Sequence, residues 1–559
     1  MASFFLRVRS VSFYLFSISR NFITRSQLRA QIRGFSSLKK TGNLGLWRNL
    51  KSTLVDVPLP RITEASSSLF FGSASSNAEL VVRQFLLQKF VHSNLYGAVL
   101  YSIGSNSDAI IPLPSIWRKH CIDYGLKVDL EASRFTWWLI VFLAYSSHIY
   151  KSLRFLLSLC VSRAHKLPLG RYAYLGDLNV INLPCKIYSV KGFDICSWYA
   201  HWGGRDSSIT HIYHNVNHSA PPVNGLFVET LSAPFLLVRG FKNVLCLWNL
   251  FFRLTICASF DLLYGRWWTS LMIFEALLAK AVSLIPVELL ALEYLFHFSG
   301  NIYRPLWTYE AESKGSSIIV YFYSTFEQPK LESGYESQNY EFGGASWPLY
   351  LVWDEYQAAQ LRQYVREESQ ICVLEPILFS GSPVQFDLAP NSVAVFDVQA
   401  HRLSAHFPVS TLSEYINAHP DFASRFLLDV QKALAEHGLY MAYKGKRDIG
   451  SRYRKDYKKV LKEIYEASNV KVFEPNTSAY HIIQQCSAVI SMPFTSTALL
   501  LREQNIPSIY YDPTGWIQRD DRAAHGIPVL IGANELRQWL HDIVNKNLST
   551  HITLPDSFP

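Results

Sequence analysis

The stretch AVISMPFTSTALL, at residues 488–500, joins a short apolar run to a turn with a proline and three consecutive hydroxyl side chains, and then to a second apolar run. The first run predicts a buried β-strand at residues 488–491, and the second predicts a helix at residues 496–503. A strand followed directly by a helix is the repeating unit of α/β proteins with a parallel sheet.

The turn between these two elements is a candidate anion-binding site. Hydroxyl groups and the unpaired amides at the amino end of a helix can bind phosphate or carboxylate groups. Ordinary helix capping is the alternative, but three hydroxyl side chains in a row after a buried strand favour ligand binding. The candidate residues are Thr495, Ser496 and Thr497.

The same alternation of strand and helix extends on both sides of this stretch. About five β–α units predict a doubly wound parallel sheet with right-handed crossovers. In such sheets ligands bind at the carboxyl ends of the strands, where the strand order reverses. Further strands are predicted at residues 392–397, 439–443, 470–473, 508–511 and 529–531, and helices at residues 412–437, 452–466, 477–485 and 534–544.

A second candidate site follows the predicted strand at residues 439–443. Three cations come directly after this strand, and a glycine between them permits a tight turn: Lys444, Gly445, Lys446 and Arg447. Arginine donates two parallel hydrogen bonds and lysine supplies a compact charge, so this turn suits a phosphate or a carboxylate. A solvated basic loop is the alternative.

Glu474 follows the predicted strand at residues 470–473. It could accept a hydrogen bond from a ribose hydroxyl or cap a helix.

The first half of the chain also alternates between strands and helices, but apolar segments interrupt it. Residues 135–150 lack charged side chains and are too short to span a bilayer, whereas residues 241–297 contain scattered charges. Both segments predict amphipathic helices that are either buried or lie in a membrane interface. Strands are predicted at residues 98–103, 126–130, 292–298 and 316–323, and helices at residues 79–92, 114–124 and 305–314.

Charge is concentrated at the start of the chain. Ten Lys or Arg residues precede the first acidic residue, Asp56, whereas the other 43 basic residues are balanced by 44 acidic ones. A nearly neutral body argues against nucleic-acid binding, and the basic arm suits an anionic membrane surface. A transit peptide or a disordered start are the alternatives.

The eight cysteines form no CxxC pair, so a reducing compartment fits best.

A chain of 559 residues is too long for one hydrophobic core, so several domains are expected. We expect a basic arm and lead-in at residues 1–78 and an N-terminal α/β domain with apolar membrane-associated helices at residues 79–326. A polar, glycine-containing linker or lid is expected at residues 327–346, and a Rossmann-like nucleotide-binding domain at residues 347–559.

The segment Pro493-Phe494-Thr495-Ser496 resembles the signature of the bacterial surface polysaccharide biosynthesis PFTS-motif family, and residues 304–307 and 321–325 are similar to that family as well. The second domain is more distantly similar to sialyltransferase-like enzymes with the GT-B fold. The resemblance implies two Rossmann-like domains of GT-B type and a CMP-linked or other nucleotide-sugar donor held by the second domain. In the sialyltransferase-like enzymes a Lys-Gly-His-Pro turn holds CMP, and here Lys446 and Arg447 replace its His-Pro.

In GT-B enzymes the catalytic base usually comes from the first domain. The resemblance therefore implies a carboxylate before the linker, for which Glu310 and Glu312 are the candidates, with Asp194, Asp206 and Glu229 as further possibilities. Such a carboxylate would deprotonate the acceptor hydroxyl. We expect no metal and no cofactor, because no Asp-x-Asp stands at a strand end. The nearby histidines His211, His214 and His218 have no acidic partner motif, which favours a structural role.

These features predict a metal-independent glycosyltransferase that transfers a sugar from a nucleotide-sugar donor to a surface or capsular polysaccharide. The expected partners are the donor, a glycan or lipid-linked glycan acceptor and an anionic membrane surface, but not nucleic acid. The expected location is cytoplasmic, on the inner face of the plasma membrane. A CDP-linked polyol-phosphate transferase of the teichoic-acid type and a non-catalytic scaffold of polysaccharide assembly are the alternatives, because one fold supports many functions.

Overall fold

A computed structural model describes most of the chain and contains two parallel β-sheets connected by helices. The described residues are 25–41, 50, 53–59, 62, 64–91, 95–161, 168, 170–184, 194–297, 302–325, 343–374, 385–400, 420–446, 448, 450, 453–500 and 505–552.

The first sheet has seven strands in the order β3-β2-β1-β4-β5-β6-β7, and every neighbouring pair is parallel. The strand order reverses between β1 and β4. The central strands are buried along nearly their whole length, as expected for a parallel sheet covered by helices. The strands are β1 (Tyr172–Leu175), β2 (His211–His214), β3 (Phe227–Thr230), β4 (Glu293–His297), β5 (Ser317–Tyr321), β6 (Leu349–Val352) and β7 (Gln370–Val373).

The second sheet has six parallel strands in the order β10-β9-β8-β11-β12-β13. This is the strand order 3-2-1-4-5-6 of the Rossmann fold, and it reverses between β8 and β11. The strands are β8 (Ser392–Asp397), β9 (Tyr440–Gly445), β10 (Val470–Phe473), β11 (Ala488–Ser491), β12 (Ser508–Asp512) and β13 (Val529–Ile531).

The predicted α/β fold class is confirmed, because the described residues form two parallel Rossmann-like sheets. The division between the domains differs from the expected one. Strands β6 and β7 pair with the first sheet, although the sequence analysis assigned residues from 347 onward to the second domain. The polar segment before residue 347 therefore suggested a boundary that the strand pairing does not follow. Of the expected linker at residues 327–346, residues 327–342 lie outside the described residues.

Most of the described helices precede or accompany the first sheet. They are α1 (Arg25–Thr41), α2 (Glu64–Phe71), α3 (Ala78–Leu86), α4 (Leu95–Ser105), α5 (Ser115–Asp123), α6 (Leu130–Val161), α7 (Ile195–His201), α8 (Phe241–Leu263), α9 (Trp268–Ser283), α10 (Trp307–Ser313) and α11 (Glu355–Arg362). Those that accompany the second sheet are α12 (Pro420–Glu436), α13 (Lys455–Glu466), α14 (Ala479–Ile483) and α15 (Gly532–Ile552).

Two predicted strands of the first domain are wrong. Residues 98–103 lie within helix α4, and of residues 126–130 only Val128 forms an isolated bridge, to Ala109. A short apolar run fits a buried strand and a buried helix equally well, and here packing against another helix decides between them.

Helix α4 packs against α1, which lies within the segment expected to be a basic arm. A Cβ atom on Gly104 would lie 1.7 Å from the carbonyl oxygen of Ala30, so glycine is what permits the close approach of the two backbones. Leu38 is buried as well. Residues 25–41 are therefore part of the folded first domain, whereas residues 1–24 lie outside the described part of the chain.

A buried contact joins the two domains. Nδ1 of His525, in the second domain, lies 2.7 and 2.8 Å from the carboxylate oxygens of Asp354. Asp354 caps the amino end of helix α11 by accepting a hydrogen bond from the amide of Gln357 at 3.0 Å. The second domain is therefore anchored to the β6–α11 turn of the first sheet.

Candidate functional site

The two turns predicted to bind an anion follow strands on either side of β8. Asp397, the last residue of β8, is in register with Gly445 of β9, and Ser491 of β11 is in register with Phe396. Because all these strands are parallel, their carboxyl ends meet at one edge of the sheet. The strand order reverses at this edge, which we call the second-sheet switch point. It brings together residues that lie about fifty positions apart in the sequence.

A buried cluster of one carboxylate and two phenols lies at the second-sheet switch point. The hydroxyl of Tyr443 donates to Oδ1 of Asp397 at 3.0 Å, and the hydroxyl of Tyr457, on helix α13, donates to Oδ2. Burial raises the pKa of Asp397 to about 6, although both phenols and the nearby charge of Lys444 oppose this shift. At neutral pH Asp397 is therefore a buried carboxylate, stabilised by two hydrogen bonds.

Lys444 lies beside this cluster and is itself buried. Burial lowers its pKa to about 8; the carboxylate of Asp397 raises the pKa, and the charge of Lys446 lowers it further. Lys444 is therefore mostly protonated at neutral pH. A cation that is held in place and partly desolvated interacts more strongly with an anion than a solvated surface lysine does.

The other residues of the basic turn are Gly445, Lys446 and Arg447. A Cβ atom on Gly445 would lie 2.3 Å from Nε2 of Gln399, so a larger residue at this position would require the Gln399 side chain to move. Lys446 is exposed just after the strand, and Arg447 lies outside the described residues.

The hydroxyl groups of the PFTS turn divide into two kinds. Oγ1 of Thr495 donates to the carbonyl of Met492 at 2.9 Å, and Oγ1 of Thr497 lies 3.1 Å from Oγ1 of Thr495 and 3.0 Å from Oγ of Ser491. These hydroxyl groups therefore hold the turn together. Among the described residues, no hydrogen bond is found for the hydroxyl of Ser496, so it is not one of the hydroxyl groups that hold the turn together.

The helix expected after this turn is only partly present. Residues Ser496–Leu499 form a 3-10 turn without a side-chain cap, and residues 501–504 lie outside the described part. At the predicted amino end of this helix the described residues therefore form a 3-10 turn rather than an α-helical turn. What remains is a tight turn with a half-buried hydroxyl group, at the carboxyl end of the buried strand β11.

Glu474 lies at the rim of a groove beside this edge. It is exposed immediately after β10 and lines a groove of about 850 Å³ between β10 and helix α13. Two tyrosines, Tyr453 and Tyr465, and several lysines of α13 also line this groove. Aromatic rings beside a carboxylate and several cations can hold a nucleoside, and the groove adjoins the basic turn at Asp448.

The predicted catalytic carboxylates, Glu310 and Glu312, lie elsewhere. Both are near the end of helix α10, which leads to the amino end of β5, so they are on the side of the first sheet away from the carboxyl ends of its strands. Glu310 accepts hydrogen bonds from the amide and hydroxyl of Ser73 at 2.7 and 2.9 Å, and Glu312 pairs with the buried Arg304 at 2.5 Å. These contacts join α10 to neighbouring segments of the first domain.

The other predicted acids also make local contacts. Asp194 caps helix α7, Asp206 accepts hydrogen bonds from Ser208, and Glu229 accepts one from Tyr213 at 2.8 Å.

Among the nearby histidines, His214 is fully buried. Burial lowers the pKa of His214 to about 4, so this side chain is neutral at physiological pH.

Sequence analysis did not single out Asp397, Tyr457 or Asp177. Asp177 is exposed directly after β1, where the order of the first sheet reverses, and it lies close enough to His297 to raise the pKa of that side chain against the lowering effect of burial. For both aspartates, the sequence signal that could have identified them is an acidic residue at the end of a central strand.

Within the described residues, no group of three or more His, Cys, Asp or Glu side chains is arranged to hold a metal.

Three solved structures illustrate a remote similarity to this chain. The UDP-GlcNAc 2-epimerase from Methanocaldococcus jannaschii is 10% identical, with a TM-score of 0.31 over 67% of this chain and 91% of that one. The complex of MnaA from S. aureus with UDP is 7% identical, with a TM-score of 0.33 over 67% and 88%. TarM is 12% identical, with a TM-score of 0.29 over 48% and 52%. At these TM-scores the likeness adds nothing to the argument about the site.

Sequence comparison gives a clearer result. No curated protein matches the sequence. The profile of the polysaccharide biosynthesis PFTS motif proteins matches residues 248–540, which cover just over half of the 559-residue chain and include both the end of the first sheet and the PFTS turn. The chain therefore belongs to the polysaccharide biosynthesis PFTS motif family.

Proposed function

We propose that this protein is a glycosyltransferase that takes a sugar from a nucleotide-sugar donor and adds it to a surface polysaccharide or its lipid-linked precursor. The observation that carries the proposal is the second-sheet switch point, where a buried lysine lies across strand β8 from the PFTS turn. Membership in a polysaccharide biosynthesis family supports the acceptor class.

The chemistry follows from where charge develops. Departure of the donor's phosphate leaves negative charge on that group, and fixed donors that face it lower the barrier. Lys444 supplies a positive charge at neutral pH, and Ser496 supplies a hydroxyl group. In this scheme Asp397 acts as a positioning residue, because its charge keeps Lys444 protonated.

Glu474 and the two tyrosines of the adjoining groove complete the proposed donor site. The Glu474 carboxylate is exposed and can accept hydrogen bonds from ribose hydroxyls, while Tyr453 and Tyr465 line the same groove. Glu310 and Glu312 are not assigned as the base, because both have structural partners at the other end of the first sheet.

A nucleotide screen tests this proposal. A ligand that binds only the native state at about 100 times its Kd stabilises it by about 2.7 kcal/mol, which is measurable as a rise in Tm. We expect CMP or CDP to raise the Tm more than UDP or GDP, because the second domain is similar to CMP-sugar enzymes.

Equal or larger shifts with UDP or GDP would contradict the choice of donor and leave the site intact. The absence of any shift, with all nucleotides above millimolar concentration, would contradict the enzyme proposal and favour the scaffold. Turnover with a CDP-linked polyol but with no nucleotide sugar would identify a polyol-phosphate transferase instead.

Two substitutions in the PFTS turn separate ligand binding from structure. Ser496→Ala removes a hydroxyl group that has no partner among the described residues, and should have little effect on Tm. It should weaken nucleotide binding about 10- to 150-fold, because a hydrogen bond to a charged group contributes about 1.5–3 kcal/mol. Thr497→Val removes hydroxyl contacts within the turn, and should instead lower stability by about 1 kcal/mol. Calorimetric titration and thermal melts of both variants provide the measurement. A Ser496→Ala variant with wild-type affinity would show that the turn is only structural.

A further inference from the structure

The first domain exposes one apolar face of helix α8. Six large apolar side chains recur at helical spacing along this face, each between 50 and 81% exposed. They are Phe241, Leu245, Phe252, Ile256, Phe260 and Leu263. The opposite face of the helix packs into the domain through Leu247, Phe251, Leu254 and Ala258.

Helix α6 exposes a similar apolar face. Its large exposed side chains lie between 44 and 65% exposed and recur at about seven-residue spacing. They are Phe135, Phe142, Leu143, Tyr150 and Leu157. No charged residue interrupts this helix between Arg134 and Lys151.

The two exposed faces adjoin each other. Helices α6 and α8 both pack against the largely buried helix α9, and they also contact each other. The hydroxyls of Tyr145 on α6 and Ser259 on α8 lie 2.6 Å apart. Because the buried sides of both helices face α9, their apolar sides point outward together. We call this combined surface the α6–α8 face.

The charges around the α6–α8 face are mostly positive. Lys242 and Arg253 are exposed on α8, and Arg134, Lys151 and Arg154 are exposed on α6. The acid of α8, Asp261, is buried and lies 3.4 Å from Arg266. Glu131, at the start of α6, is the exposed acid of these two helices. An apolar surface with a cationic border complements the interface of an anionic bilayer.

The arrangement suits a helix that lies along a membrane better than one that crosses it. By length and composition α8 could span a bilayer. However, one side of α8 is covered by α6 and α9, and the chain continues from α8 directly into α9, which leads to β4 of the first sheet. Burial on one side and exposure of apolar residues on the other is the pattern of an interfacial amphipathic helix.

We propose that the α6–α8 face docks the first domain on an anionic lipid bilayer, with both helices lying in the plane of the interface. This occupant fits better than a second copy of the chain, because a symmetric pair would bring the same cationic borders together. The proposal does not depend on the nature of the reaction.

Vesicle sedimentation of the full chain tests this inference. We expect the protein to sediment with phosphatidylcholine vesicles that contain phosphatidylglycerol, and less with phosphatidylcholine alone or at high salt. The double variant Phe252→Glu/Ile256→Glu should bind these vesicles about tenfold or more weakly, because it places two charges on the apolar face. Leu428→Glu, at an exposed leucine of α12 in the second domain, is the matched control and should bind as the wild type does.

Two further measurements make the result decisive. Thermal melts of the variants must match the wild type, since Phe252 and Ile256 are exposed and their replacement should not unfold the protein. Deletion of residues 1–24 should leave vesicle binding largely unchanged. The inference is overturned if this deletion abolishes binding while the double variant still binds. It is also overturned if the wild type is a dimer that ignores vesicles and the double variant is a monomer.

Discussion

Replacement of Lys444 by methionine should weaken nucleotide binding by about 10- to 150-fold, the equivalent of one charge-assisted hydrogen bond of about 1.5–3 kcal/mol. Methionine keeps much of the length of the side chain but not its charge. Burial lowers the pKa of the Lys444 ammonium, which means that the buried charge reduces the stability of the folded protein. Removal of this charge should therefore leave the Tm unchanged or raise it.

Calorimetric titration of the nucleotide that gives the largest thermal shift provides the measurement. The matched control is Lys432→Met, which removes an exposed lysine from helix α12 and should keep wild-type affinity. If Lys444→Met binds the nucleotide as the wild type does, the buried lysine is not part of the donor site, whatever its effect on stability.

Replacement of Asp397 by asparagine should change the pH at which the nucleotide is released. In the wild type, affinity should fall as the pH rises through about 8, because Lys444 then loses its proton. The carboxylate of Asp397 raises the pKa of Lys444, so the asparagine variant should lose affinity at a lower pH than the wild type. Near pH 7.5 we expect a loss of about tenfold, and lowering the pH should restore part of it.

The same substitution has a separate effect on folding. The pKa of Asp397 in the folded protein, about 6, lies above its ordinary value of 3.8. Its stabilising contribution is therefore fully present below pH 3.8 and is lost as the pH rises through about 6. The stability of the wild type relative to Asp397→Asn should accordingly fall across this window, which denaturant titrations at several pH values can measure.

The nucleotide-affinity prediction has its own contradicting result. Profiles of nucleotide affinity against pH that coincide for the wild type and Asp397→Asn would refute the coupling between Asp397 and Lys444.

The second domain was largely predictable because most of its strands are short apolar runs that are buried in the sheet. The predicted bounds of β8, β10, β11 and β13 agree with the observed ones. Parallel strands that are buried on both faces read as continuous apolar runs, and this signal is local in the sequence.

The first domain was harder to predict because its apolar runs are ambiguous. Residues 98–103 would satisfy a strand, but they form a helix because Gly104 lets α4 pack closely on α1. Likewise, β6 and β7 follow a polar segment that resembles a domain boundary, and only hydrogen bonding to β5 shows which sheet they join.

The candidate site was predictable in part. The basic turn and the PFTS turn were both expected at strand ends, and the parallel sheet places them at one edge. The partners of Lys444 could not be derived in the same way. Asp397 and Tyr457 are sixty residues apart, and their contact depends on how helix α13 packs on the sheet.

Photoaffinity labelling tests most directly whether the second-sheet switch point holds the nucleotide. A photoreactive nucleotide, chosen from the thermal screen, is crosslinked to the full chain and the labelled peptides are mapped with and without excess unlabelled nucleotide. We predict competable labels in the segments that follow β8, β9 and β11, and loss of labelling in Lys444→Met. Competable labels confined to the first domain, or undiminished in Lys444→Met, would contradict this prediction.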